Sequence, residues 1–238
     1  MQGPVFTLQQ EKNNLPENID YSKKCYVLYT SSDDEFAAVG KEYENPYFRD
    51  QNDGIFYLCN LFQNEMQNSN LIIRMHPNLR GVDYEYVHKL RSLEGRFNNV
   101  YLIPPEGKAD SYALMKIAEK ILVFGSTIAV ESNYWRKPVI LLGRSFYSGM
   151  GVAYEPVDKA EIPQLLKTNL EPKDILPSLK LGLYFLDGGI PAKFYDQNTD
   201  GEVYFKGIKI YDYSEMDKFL ASVIKFVHKN FKKRILVN

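Results

Sequence analysis

Apolar residues in this chain fall into short continuous runs separated by stretches of helical spacing. The runs are CYVLYT (25–30), LIIRM (71–75), VYLI (100–103), ILVF (121–124) and PVILL (138–142). Between them, residues 52–67 set Ile55, Leu58, Cys59 and Phe62 at helical intervals, and 83–94, 111–119 and 127–135 carry similar patterns. A strand that is apolar at every position is buried on both faces, as in a parallel sheet with helices on each side. Strict alternation of such strands with helices predicts an α/β protein.

The pattern therefore predicts a Rossmann-like parallel sheet with helices on both faces over roughly residues 23–170. Residues 1–22 are polar and read as a linker or arm, and 23–238 as one domain whose C-terminal extension begins at about residue 171. GVAYEP (151–156) could add one short strand, and Glu161–Lys167 a helical turn or two. A helix over 173–186 should end at Asp187-Gly188-Gly189, a glycine stop signal. Beyond it the spacing predicts a hairpin over 202–213 and an amphipathic helix over 214–233, with Met216, Phe219, Leu220, Val223 and Phe226 or Val227 facing inward.

Charge narrows the function classes. The 29 basic and 30 acidic residues leave a net charge of −1, which argues against general affinity for nucleic acid or anionic membrane. Cys25 opens a strand and Cys59 lies in a helix, so both read as buried small apolar residues, and no Cys/His spacing suits a metal. No apolar run approaches the ~18 residues of a membrane span. A cytoplasmic protein is expected, with at most peripheral membrane association.

In an open parallel sheet, ligands bind beyond the carboxyl ends of the strands. Three of those ends carry polar turns: Ser31-Ser32-Asp33, His76-Pro77-Asn78 and Gly125-Ser126-Thr127. Gly125 allows close approach of backbone, and Ser126 or Thr127 can cap the following helix. The free N–H groups there form an anion site; an ordinary helix cap would use the same residues. Glu131 lies four residues past Thr127, outside the capping-box position, so it can face the crevice and suits ribose hydroxyls. Pro77 biases His76 toward an extended backbone, and a rigidly held imidazole can donate to a phosphate oxygen. Arg74 shares His76's side of the strand and could pair with a carboxylate or reach the phosphate. Glu106 and Lys108 could rim a base pocket, and Arg144 could meet a diphosphate or a sugar carboxylate. No Asp-x-Asp motif follows a strand, so no metal is expected.

RMHPN, followed about fifty residues later by GSTIAVESNYWRKPVILLGRSFY, resembles the capsule polysaccharide biosynthesis glycosyltransferases, including bacterial β-Kdo transferases. The resemblance covers roughly residues 24–156. More distantly, the His-Pro and Ser/Thr pairing is similar to that of bacterial sialyltransferases and teichoic-acid glycerophosphotransferases. It implies one half of a GT-B fold, the half that holds a nucleotide-activated sugar, commonly a cytidine nucleotide, with no further cofactor. Carried over by position, His76, Ser126 and Thr127 would contact donor phosphate and Glu131 the ribose. A glycan or glycolipid acceptor and an N-terminal acceptor domain are the implied partners, and the catalytic base would come from that other domain. Two alternatives stay open: transfer of a polyol phosphate from a CDP-linked donor, and a nucleotide-binding scaffold without turnover.

Overall fold

Alternate residues of each apolar run enter two different cores. From the first run, Tyr26 and Leu28 join one buried cluster while Cys25, Val27 and Tyr29 join the other. Leu71 and Ile73 likewise part from Ile72. A strand's side chains point to opposite faces in turn, so continuous apolarity means cover on both sides. The computed structural model describes residues 11–32, 40, 44–187, 195–198, 202–209, 216, 220 and 222–223.

The chain forms two compact units, Met1–Asp187 and Gly188–Asn238. In the first, β1 (Lys24–Tyr29), β2 (Ser69–Arg74), β3 (Val100–Ile103), β4 (Ala118–Val123) and β5 (Val139–Leu141) make one sheet in the order β3-β2-β1-β4-β5. All neighbours are parallel, with Val27 opposite Ile72 on one side and Ile121 on the other. One face is covered by α1 (Gln51–Glu65), α2 (Glu85–Arg91) and α5 (Ile162–Lys167). The other carries α3 (Ser111–Ile117), α4 (Ile128–Tyr134) and α6 (Leu176–Asp187). Strand order reverses between β1 and β4, which makes their carboxyl ends the switch point of the fold. This is the Rossmann-like layer arrangement that forms one half of a GT-B fold.

Polar side chains fix the ends of these elements. Asp50 caps α1 by accepting from the Asp53 N–H at 2.8 Å. At the other end, the Asn99 amide nitrogen donates to the carbonyls of Phe62, Met66 and Ser69 at 2.8–3.1 Å, tying the exit of α1 to the start of β2. Lys120 is buried in β4, with its ammonium on the carbonyls of Leu166 and Thr168 at the end of α5. Burial pulls its pKa down, while the negative end of the helix favours the cation. Asn133 donates to Asp174 O and Ser178 Oγ at 2.8 and 2.9 Å, which anchors α6 against α4.

Several expectations change in detail. GVAYEP is reduced to a single parallel bridge between Tyr154 and Ile140. Residues 11–22 lie along the first unit: Asp110 N–H donates to Asn14 O, Asn70 donates to Asp20 O, and Ile19 is buried. In the second unit the hairpin forms from β7 (Val203–Phe205) and β8 (Ile208–Lys209), and β6 (Tyr195–Gln197) adds an unforeseen third strand. Lys206 and Gly207 both have positive φ, the turn that suits the twist of paired strands. Met216, Leu220 and Val223 are exposed, where the amphipathic pattern placed them inward. The rest of the predicted helix 214–233, the Gly188-Gly189 stop and Asp33 lie outside the described residues.

At the carboxyl edge the exits of β4 and β5 run almost in backbone contact. A Cβ on Gly143 would stand 2.1 Å from the Phe124 carbonyl oxygen, which cannot swing aside. Gly143→Ala should therefore lower stability by about 3 kcal/mol in chemical denaturation, at the upper end of overpacking costs. A loss under ~1 kcal/mol would mean that the two exits are not held this close.

Candidate functional site at the switch point

The exit of β2 sets the first group. His76 adopts φ −62° and ψ 133°, the extended backbone that Pro77 demands. Its Nδ1 accepts the Asn78 N–H at 3.2 Å, which caps the short 3₁₀ turn Pro77–Leu79. That bond places the proton of the neutral ring on Nε2. The His76 N–H donates to the Thr30 hydroxyl at 2.9 Å, and the Thr30 N–H to the Arg74 carbonyl at 3.1 Å. The histidine is thus pinned from both β1 and its own turn.

Arg74, the last residue of β2, is 3 % exposed. Its guanidinium donates to the carbonyls of Pro104 at 2.7 Å and Gly107 at 3.0 Å, clamping the loop that leaves β3. Among the described residues its Nε has no partner and no carboxylate forms an ion pair with it. Burial pulls the guanidinium down from its usual pKa, but arginine stays charged in proteins. A neighbouring phenol, Tyr29, donates to Ser111 O at 2.6 Å and is pushed well above its usual range by burial.

The exit of β4 supplies the hydroxyls. Thr127 stands at the cap position of α4 with helical backbone angles and makes no side-chain cap bond, so the expected hydroxyl cap from this residue does not form. The turn is propped from behind: Tyr147, buried, donates to Ser126 O at 2.8 Å, and Ser145 Oγ to Gly125 O at 3.1 Å. Glu131, one turn into α4, accepts a short hydrogen bond from the Tyr112 hydroxyl. Burial, and then that bond, raise the Tyr112 phenol above its usual pKa.

These exits meet in a cavity of about 80 Å³ at the switch point, a few times the ≈ 30 Å³ share of a liquid water. Of the residues expected from sequence, the cavity brings together Arg74, His76, Pro77, Ser126, Thr127 and Glu131. Tyr29, Thr30, Met75, Ser111, Tyr112 and Ile128 complete the lining, and sequence reasoning did not select them as site residues. Ser31 and Ser32 are buried outside it: the Gln51 amide brackets the Ser31 backbone at 2.8 and 3.0 Å, and neither hydroxyl has a partner among the described residues. Asn78 is exposed and contributes its backbone N–H to His76. Glu106 is paired with Arg91 at 2.6 Å and Lys108 with Glu11 at 2.6 Å. Gly125 and Arg144 do not line the cavity, and Arg144 is exposed. Among the described residues no three His, Cys, Asp or Glu side chains are grouped to share a metal ion.

Comparison with known proteins follows the same region. No curated protein sequence matches the chain. Among solved structures, it is similar to the β-Kdo 2,7-transferase of Thermosulfurimonas dismutans KpsC at 17% identity and a TM-score of 0.41, over 73% of this chain and 48% of that one. The β-Kdo 2,4-transferase of the same KpsC gives 14% identity and 0.44, over 75% and 55%. A UDP-N-acetylglucosamine 2-epimerase from Listeria monocytogenes, described as putative, gives 11% and 0.45, over 77% and 51%. The chain spans about half the length of these structures. The family model described as capsule polysaccharide biosynthesis protein matches residues 16–172, the stretch that holds the parallel sheet and every residue lining the cavity, and the chain belongs to that family.

Proposed function

We propose that this chain is the donor-binding half of a GT-B glycosyltransferase that builds a surface polysaccharide, and that the switch-point cavity takes the phosphate of a nucleotide-activated sugar. The observation that carries this reading is Arg74: a guanidinium 3 % exposed, without a carboxylate partner among the described residues, beneath a cavity lined by an imidazole and two hydroxyls. Taking an ion out of water costs several kcal/mol, and a carbonyl pair offsets only part of that. Glu106, itself paired with Arg91, compensates part of the charge from a distance, and a bound phosphate would supply the direct counter-charge.

In this reading His76 donates from Nε2 to a phosphate oxygen, with Ser126 and Thr127 hydroxyls on the others. As the bond from sugar to phosphate breaks, charge grows on the departing nucleotide, and these preorganised donors stabilise it without reorganisation. Glu131 offers its second carboxylate oxygen to ribose hydroxyls while Tyr112 holds the first. The family resemblance favours a cytidine nucleotide, with Kdo as one such CMP-activated sugar, and a glycan or glycolipid acceptor. The base that deprotonates the acceptor is assigned to no residue here. No helix among the described residues is long and apolar enough to cross a membrane. The proposed setting is the cytoplasm, peripheral to the membrane where the acceptor is a glycolipid.

A thermal-shift panel of CMP, CDP, UDP, GDP and ADP tests the reading. At one hundred times Kd, a bound nucleotide should raise Tm by about 5–10 °C, from ≈ 2.7 kcal/mol of linkage in a domain of this size. His76→Ala should remove most of that shift. No response to any nucleotide, or an undiminished response in the variant, would sink the donor site.

Arg74→Met separates ligand binding from packing. Methionine removes the buried charge but also the donors to the Pro104 and Gly107 carbonyls, so unliganded stability should fall by about 1–3 kcal/mol while the chain still folds. The nucleotide-dependent shift should vanish. Retention of that shift would show that Arg74 only clamps the loop after β3.

A further inference from the structure

A second hollow, of about 470 Å³, opens on the flank formed by α3, the end of α4 and residues 12–13, and Tyr112 lines both it and the switch-point cavity. Its floor is apolar, made by the Tyr112 ring, Met115 and the indole of Trp135, which is 61 % exposed. Exposed apolar side chains are common on this chain, but here an indole stands in one hollow with Met115 and the Tyr112 side chain, and such a surface suits the face of a sugar ring. Lysines edge the hollow, and they differ in what they do. Lys137 is tied to the carbonyls of Lys116 and Ala118 at 2.7 and 2.9 Å. Lys12 and Lys116 are exposed, and neither forms an ion pair among the described residues. The one lining carboxylate, Asp110, already accepts the N–H groups of Asn13 and Tyr112 at 2.8 Å each.

The hollow therefore combines an aromatic face, an apolar floor and unneutralised ammonium groups. Lys116 follows Tyr112 by four residues, about 6 Å along the helix axis. Lys12 and Lys116 both line this hollow and neither lines the switch-point cavity. We propose that this hollow binds an acidic saccharide, its ring face against Trp135 and its carboxylate or phosphate on Lys12 and Lys116. The inference rests on the transfer reading only for the saccharide's role, that of an acceptor chain held mainly by the other domain whose anionic part lies here, beside the donor site that Tyr112 also lines. A neutral sugar would leave both ammonium groups unmatched.

Trp135 is the single tryptophan of the chain, so tryptophan emission reports on the surroundings of this one residue. The full-length chain is titrated with a galacturonic acid tetramer, with maltotetraose as a neutral counterpart of equal length, and with CMP. The acidic tetramer should change the emission saturably, and the affinity should fall about tenfold in the Lys12→Gln/Lys116→Gln variant, the loss of two exposed charge contacts. Both side chains are exposed, so the variant should fold as the parent does. Response to maltotetraose equal to that of the acidic tetramer, no response to the tetramer at millimolar concentration, or equal affinity in the double variant would each overturn the proposal. A saturable response to CMP that the double variant loses would overturn it too, since the hollow would then hold the nucleotide. In His76→Ala the acidic tetramer should bind as it does to the parent, because His76 does not line this hollow. In the parent chain, acidic saccharide binding without any nucleotide binding leaves this site standing and removes the donor site, and the reverse removes this one.

Discussion

Beneath the carboxyl edge of the sheet, one arginine joins three strand exits. The Arg74 carbonyl receives the Thr30 N–H from the end of β1, and its guanidinium holds the Pro104 and Gly107 carbonyls beyond β3. Thr30 in turn receives the His76 N–H, so the histidine's position follows from the same contact. A charge held this deep is costly unless its partners are well placed. Three backbone segments accordingly converge where the strand order reverses, and the cavity is the space they leave.

The opposite wall is built without charge. Ser126 and Thr127 reach the cavity because their turn is pressed forward by the Tyr147 and Ser145 hydroxyls, and because Gly143 lets the exit of β5 lie against Phe124. The LGRSFY segment thus acts as a support behind the hydroxyl turn, with a buried phenol and a missing Cβ as its working parts. Arg144, the residue of that segment with the most evident chemistry, is exposed and does not line the cavity. The Tyr112–Glu131 bond closes the wall by linking α3 to α4 and separates the small cavity from the larger hollow on the flank.

Much of the fold was readable along the chain, because burial on both faces forces apolar residues into every position of a strand, and five runs of that kind match five parallel strands. The failures lie where that constraint is weak. GVAYEP has the composition of a strand, but only Tyr154 pairs. Tyr195–Gln197 is three residues long and offers no alternation to detect. At the site, His76, Ser126, Thr127 and Glu131 were selected from turn chemistry and spacing, and they do line one cavity. Ser31 and Ser32 were chosen on equal grounds and do not.

Local pattern was enough for element type, chain order and the edge at which polar turns gather, since each follows from periodicity and from the rule that parallel strands share a direction. It was not enough for the aim of individual side chains. Whether Thr30 or Ser31 faces the crevice depends on the Gln51 amide, twenty residues away from Ser31, and whether Arg74 meets a ligand or a loop depends on carbonyls thirty residues further on. Such contacts exist once the sheet has assembled. Sequence spacing carries no record of them, because hydrogen-bond partners across a fold are chosen by distance in space.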